Sequence, residues 1–275
     1  MSDDFWVNKR YVGSSNTADE EFFAVKFVAM IGLCLYVSLN ACTSPEPVNV
    51  TIYAASSLTE GFQTLQDEFE KQHPEFKVRL VFGGSQVLRL QISNGAPADI
   101  FASANRSHIR ELTEQKLVKS ESAFATNRLA IVLSPQRASE QLVFSDLNKI
   151  PRLVLGSLDS PIGQYTEQLF ANAQATHGTS FIKQIRRNVV SREKNVRLVR
   201  TKVRLGVADA AIIYSSDVIH ERDTGVITIP THLCPSIEYV AARLNDKTPV
   251  RLWFDFLRTP KAQHILRAAG FDGQS

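Results

Sequence analysis

The run Tyr53-Ala54-Ala55-Ser56-Ser57-Leu58-Thr59-Glu60 closes an apolar stretch, Val48 to Ala55, with two serines. A helical pattern begins at once, because Leu58, Phe62, Leu65 and Phe69 recur on one helix face. Ser57 and Glu60 have the spacing of a capping box. A strand thus delivers a hydroxyl to the positive end of a helix. Free backbone N–H groups and the helix dipole make such a place receptive to anions. Three further helix starts share the pattern. In Gly83-Gly84-Ser85-Gln86-Val87-Leu88 two glycines end a strand and Ser85 opens a helix. Ser160-Pro161-Ile162-Gly163 follows the strand Leu153–Gly156, and Lys194-Asn195-Val196 opens a helix that stops at Gly206. Ala210 to Tyr214 then reads as a buried strand with a phenol at its carboxyl end, where open α/β sheets bind ligands. Any one serine here is explained by its value as a helix cap, about 1 kcal/mol. Four such ends and a terminal tyrosine are less easily explained that way and raise anion binding as the functional reading.

Catalytic motifs are missing. The sequence has no H-E-x-x-H, G-x-S-x-G or Walker A pattern. The histidines at 73, 108, 177, 220, 232 and 264 are scattered and read as surface residues or end caps rather than metal ligands. Asp99, after Ala96-Pro97-Ala98, reads as a structural acid for nearby backbone N–H groups. The competing reading is an enzyme acting on an anionic substrate with Asp99 or Tyr214 catalytic. Arg192, Lys194, Arg197, Arg200, Lys202 and Arg204 read as a solvated helix face.

Strands and helices alternate from residue 48 onward. Strands are expected at Val50–Ala55, Lys77–Phe82, Asp99–Ala102, Leu129–Leu133, Leu153–Gly156, Ala210–Tyr214, Val226–Ile229 and Ile237–Leu244. Helices are expected at Leu58–Gln72, Val87–Ser93, Ser107–Gln115, Gln164–Gln174, Val196–Leu205, Pro249–Leu257 and Pro260–Ala269. This is an α/β chain with mostly parallel sheets, long enough for two lobes.

The 275 residues carry a net charge of +3 and no basic run, which gives no footprint for nucleic acid. The segment 1–41 reads as a lipoprotein-type signal. Its apolar run, Phe27 to Leu39, is short for a membrane span and suits a signal-peptide core. Leu39-Asn40-Ala41-Cys42 follows, so Cys42 is the expected lipidation site, with residues 42–47 as tether. Five acidic residues before Phe22 do not suit a signal, and residues 1–24 are read as a mis-called start, with Val25 as the true one. Removing residues 1–41 takes away three basic and five acidic residues and raises the net charge to +5. Of the three cysteines only Cys234 then remains unmodified. It has no partner for a disulfide and reads as merely packed.

The chain also resembles the periplasmic molybdate-binding component of ABC transporters. The likeness is carried by Ala54-Ala-Ser-Ser-Leu-Thr59, by Gly84-Ser85 with Leu88 and Gln91-Ile92, and by Asn94-Gly-Ala-Pro-Ala-Asp-Ile-Phe-Ala-Ser-Ala104. Gly163-x-Tyr165, Asn195-Val196, Ala211-Ile-Ile-Tyr214-Ser-Ser-Asp217, Phe254-Asp-Phe-Leu-x-x-Pro260-x-Ala-Gln263 and Gly270-Phe271 extend it. The resemblance implies a two-lobed periplasmic binding protein clamp, each lobe a mostly parallel sheet flanked by helices. Lobe 1 would be 48–127 plus 244–275, and lobe 2 would be 128–243. It implies a monomer that takes molybdate or tungstate, carries no cofactor, and delivers its ligand to an ABC permease from a lipid anchor at Cys42. Ser57 and Ser85 would donate hydroxyl and N–H, Ile162 and Val196 backbone N–H, and Tyr214 its hydroxyl. The metal arrives as an oxyanion, with no direct side-chain ligation. Sulfate, phosphate or another tetrahedral oxyanion is the alternative cargo, and a sensor that signals through a partner is the alternative role. Ile162, Gln86 and Val240 depart from the family's usual residues, Ile162 in a way that narrows the pocket wall.

Overall fold

The computed structural model describes residues 48–273, apart from 220 and 222. The signal segment, the tether, the start at Val25 and Cys42 lie outside the described residues.

In chain order the elements are β1 (Val48–Ala55), α1 (Thr59–Gln72), β2 (Phe76–Gly83), α2 (Ser85–Ser93), β3 (Ile100–Ser103) and α3 (Arg106–Glu114). There follow β4 (Ser120–Asn127), β5 (Leu129–Leu133), β6 (Leu153–Gly156), α4 (Pro161–Arg187), β7 (Val189–Glu193) and α5 (Val196–Arg204). The last are β8 (Ala210–Tyr214), α6 (Ser215–Val218), β9 (Val226–Ile227), β10 (Ile237–Arg243), α7 (Thr248–Phe256) and α8 (Pro260–Ala268). They build two five-stranded sheets, ordered β2-β1-β3-β10-β4 and β7-β6-β8-β5-β9. Parallel pairing is confined to β2-β1-β3 and to β7-β6-β8. The strands that return, β10 and β4 in the first sheet and β5 and β9 in the second, pair antiparallel.

Period-2 side-chain alternation builds two apolar layers on the first sheet. Val50, Ile52 and Ala54 of β1 are fully buried in one cluster with Leu58, Phe62, Leu65 and Phe69. Trp253 seals that layer, its ring 5.0 Å from Phe69. On the opposite face Phe101, Val240 and Ala242 pack with Leu88, Ile92, Ile109 and Leu112 of α2 and α3. Every residue of β5, β6 and β8 in the second sheet is buried, which is why these strands read as unbroken apolar runs. The expected helix at Gln164–Gln174 is part of a longer one, α4, interrupted at Gly178, where φ is 80°.

Two strands give no clear signal in the sequence. Both β4 and β7 are edge strands, SESAFATN and VVSRE, with few buried positions to impose a pattern. The lobe boundary expected at residue 244 also needs correction. Strand β10, Ile237–Arg243, lies in the first sheet between β3 and β4, so the chain returns from the second sheet before Ile237.

The outward crossing is one residue long, Arg128, between β4 and β5. Asn127 braces it. Its Nδ2 donates to Ser216 Oγ at 2.8 Å, and its Oδ1 accepts from Ser215 Oγ at 2.8 Å and Arg128 N at 2.9 Å. The chain's end is tied to the same place, because Thr126 and Asp272 exchange both backbone hydrogen bonds at 2.9 Å.

Candidate functional site

Each of the four helix starts spends some of its orphan N–H groups on its own cap and leaves others over. In α4, Pro161 has no N–H, Gly163 N is taken by Ser160 Oγ at 3.2 Å, and Gln164 N by Ser160 O at 3.0 Å. Ile162 N–H is the donor left. In α5, Asn195 Oδ1 accepts from Leu198 N at 3.1 Å and Asn195 O from Val199 N at 3.3 Å, leaving the amides of Val196 and Arg197. In α2, Gly84 O takes the amides of Val87 and Leu88, leaving those of Ser85 and Gln86.

The first start differs from the expected capping box. Ser56–Leu58 forms a 3-10 turn, α1 begins only at Thr59, and no side chain caps it. Ser57 Oγ instead meets Tyr239 Oη at 2.8 Å, deep in the protein. Glu60 turns away to Arg197, at 2.9 Å.

Ser57, Ser85, Ile162, Val196 and Tyr214 are brought together around one cavity of about 20 Å³. A single water needs about 10–15 Å³, so the space suits one small ion rather than an organic solute. Ser56, Gly84, Ala104, Ser160 and Asn195 complete much of its wall, and no acidic residue lines it. Tyr214 is 1 % exposed and its hydroxyl has no hydrogen-bond partner. Burial pushes its pKa well above 10.0, so the phenol is a neutral O–H donor. Ser85 Oγ accepts from Ala104 N at 3.2 Å, which leaves its proton available. Ile162 lines the cavity and packs in part over Gly156. Gly156 receives part of its side chain: a Cβ there would lie 2.5 Å from Ile162 Cγ2. Gly163 is required for the same turn, since a Cβ would lie 1.9 Å from Ser157 O.

Several contacts join the two sheets' halves across this cavity, three of them at 2.9 Å or less. Glu60 meets Arg197, Gln86 Nε2 donates to Lys194 O at 2.7 Å, and Asn105 Nδ2 donates to Gln164 Oε1 at 2.8 Å. The clamp is therefore closed. The Gln86 contact and the Ser57–Tyr239 pair within the first half, whose partners are 108 and 182 residues apart, leave no trace in the sequence.

Asp99 lies outside the cavity. Its carboxylate accepts from Thr51 N at 2.7 Å, Asn245 Nδ2 at 2.7 Å and Lys247 Nζ at 2.9 Å, the structural use expected of it. Two surface readings are corrected. His108 is 4 % exposed, and Arg200 is 8 % exposed, bonded to Asp217 at 3.0 Å and Glu221 at 2.6 Å. A wider opening of about 590 Å³ borders the hinge at Asn127, Leu129, Cys234 and Ile237, and contains none of the five donors. Cys234 Sγ accepts from Leu129 N there at 3.3 Å.

Two lobes that meet over a small cavity without acidic lining have the architecture of a clamp. Residues 50–272 match the family described as bacterial extracellular solute-binding protein, and the chain belongs to it. The molybdate-binding protein ModA of Mycobacterium tuberculosis is 29% identical over 204 residues, 69% of this chain and 74% of that protein. ModA of Haemophilus influenzae is 25% identical over 261 residues, 91% of this chain and 100% of that protein. Two solved structures share the fold. The Azotobacter vinelandii periplasmic molybdate-binding protein gives a TM-score of 0.70 at 18% identity, over 82% of this chain and 100% of its own. The sulfate-binding protein SubI of Mycobacterium tuberculosis gives 0.73 at 18% identity, over 82% and 87%. The resemblance read from the residues is thus borne out, and the family is one of binding proteins rather than enzymes. Among the described residues no helix is long and apolar enough to cross a membrane.

Proposed function

We propose that this protein captures molybdate or tungstate between its lobes and delivers it to an ABC permease, held at the membrane by a lipid on Cys42. One observation supports the reading: Ser57, Ser85, Ile162, Val196 and Tyr214, the five expected donors, all line a cavity of about 20 Å³ whose wall includes Lys194 and no acidic residue. A fully deprotonated tetrahedral dianion has only acceptors, so a site of donors alone is complementary to it. A carboxylate there would repel it and select a protonated oxyanion instead. Hydrogen bonds to a charged group contribute about 1.5–3 kcal/mol each. Several suffice for sub-micromolar binding after the entropy of association is subtracted. Sulfate has the same charge and symmetry and is smaller, so cavity width is the only filter against it. The molybdate-binding relatives support the choice of cargo, and the Leu39-Asn40-Ala41-Cys42 sequence supports the anchor.

Calorimetric titration of the detergent-purified full chain with molybdate, tungstate, sulfate and phosphate tests the reading. Tight one-to-one binding of the first two with sulfate silent is expected. Preference for sulfate or phosphate, or silence from all four with the protein folded, would overturn it. Mass spectrometry of the membrane-extracted protein tests the anchor, with a diacylglyceryl group on an N-terminal Cys42 as the expected finding and an unmodified residue 42 as the contrary one.

A further inference from the structure

Gln86 is one of the residues that depart from the family's usual pattern, and its geometry is unusual. It sits in the first turn of α2, 3 % exposed, next to Ser85. Its side chain folds back over Gly84 and its Nε2 donates to Lys194 O, in the other lobe, at 2.7 Å. Lys194 O belongs to the peptide unit that enters Asn195, and Asn195 caps α5 directly before Val196. The backbones approach so closely here that a Cβ on Gly84 would lie 2.5 Å from Lys194 O and 2.8 Å from Gln86 Oε1. Gln86 Oε1 is buried with no hydrogen-bond partner. An unpaired buried acceptor costs stability, so the side chain is held here at some expense by its Nε2 bond.

We propose that Gln86 is a cross-cleft latch that holds the clamp closed and fixes the width of its cavity. It is a positioning residue: one amide hydrogen bond sets the separation between Ser85 and Val196, which face the cavity from opposite lobes. The inference rests on the oxyanion reading for its cargo, but the latch itself is a property of the lobes. Opening the clamp breaks the bond and exposes the amide to water, so the bond stabilises the closed state alone. Such an interaction slows release and leaves capture untouched. It also holds the size filter, because a looser cleft lets each donor adjust to a smaller ion. The neighbouring Glu60–Arg197 pair is a weaker tie, with side chains 31 % and 42 % exposed and open to screening by salt.

The experiment compares the full chain with Gln86→Met, which keeps the side chain's length and bulk and removes the donor. Release of radiolabelled molybdate into an excess of unlabelled ion is expected to quicken about tenfold, with the capture rate within about twofold, as the loss of one hydrogen bond confined to the closed state requires. The preference for molybdate over sulfate should fall. Small-angle scattering without ligand gives a second readout, in which the variant is more expanded than the wild type. Unchanged release, selectivity and scattering overturn the latch. A wild type that binds none of the four oxyanions, beside a variant that expands, overturns the cargo and leaves the latch standing. Silence with no expansion overturns both.

Discussion

The Tyr214 hydroxyl is buried without a protein partner, while the Ser57 hydroxyl is bonded to Tyr239, and the two should respond differently to deletion. Tyr214→Phe removes a donor that no protein group accepts at hydrogen-bonding geometry, although the Tyr239 hydroxyl lies near it. Calorimetry should show oxyanion affinity lowered about tenfold to a hundredfold, the equivalent of one hydrogen bond to a charge. The unfolding midpoint of the ligand-free protein should stay put. Ser57→Ala leaves the Tyr239 hydroxyl buried and unpaired, so chemical denaturation should show a stability loss of about 1–3 kcal/mol beside the loss of affinity. A stable Ser57→Ala protein with full affinity would remove Ser57 from the site. At this scale much was legible in the sequence. A serine after an apolar strand and a tyrosine at a strand's end are local signals, and all five expected donors do line one cavity. The partner of Ser57 was not legible, because the pairing of β10 beside β3, which sets Tyr239 among the residues of the first lobe, leaves no local trace.

Among the elements, α5 carries most of the positive charge near the cleft and reads as a solvated face until its spacing is considered. Its buried positions are Val196, Val199, Arg200 and Val203, an i, i+3, i+4, i+7 stripe. Arg200 falls on the stripe, a signal that the charge run concealed. Its guanidinium bonds Asp217 at 3.0 Å and Glu221 at 2.6 Å, tying α5 to the segment that follows β8. Burial pushes the Asp217 carboxyl up to about 7, against the pull of Arg200. Arg200→Met would leave two buried carboxyls without their counter-ion. Urea unfolding at neutral pH should show a loss of about 3–5 kcal/mol, the usual consequence of breaking a buried pair. Restoring packing in the triple variant Arg200→Met, Asp217→Leu, Glu221→Leu should recover much of it. The first helix start teaches the complementary lesson. Ser57 and Glu60 have a capping-box spacing, yet tertiary contacts claim both side chains and α1 begins without a cap.

Closure of the whole molecule should bury groups at the boundary between the lobes, and His108 is expected to be one whose charge reports it. It lies on α3, 4 % exposed, with Nδ1 3.3 Å from Glu111 and Arg89 close by. The backbone carbonyl of Asp159, in the loop that leads into α4 of the other lobe, faces the ring. Burial, the largest influence, holds its pKa below 6.5, although Glu111 pulls the other way. The sign follows from linkage: the closed state carries fewer protons than the open one, so its advantage is complete above about 6.5 and is lost as pH falls through the depressed value. Asp217 has the opposite slope. Its raised pKa gives a contribution that is full below 3.8 and is lost as pH rises toward about 7. The Asp217 shift belongs to folding, because its burial and its partner Arg200 lie within one lobe, and the quantity that reports closure is the difference between the wild type and His108→Gln. Molybdate affinity of the wild type should weaken relative to that variant as pH falls from about 7 to about 5, with the two converging above about 7. Parallel profiles would mean that His108 keeps one charge state through closure, and the acid sensitivity of the clamp would then lie with other groups along the cleft.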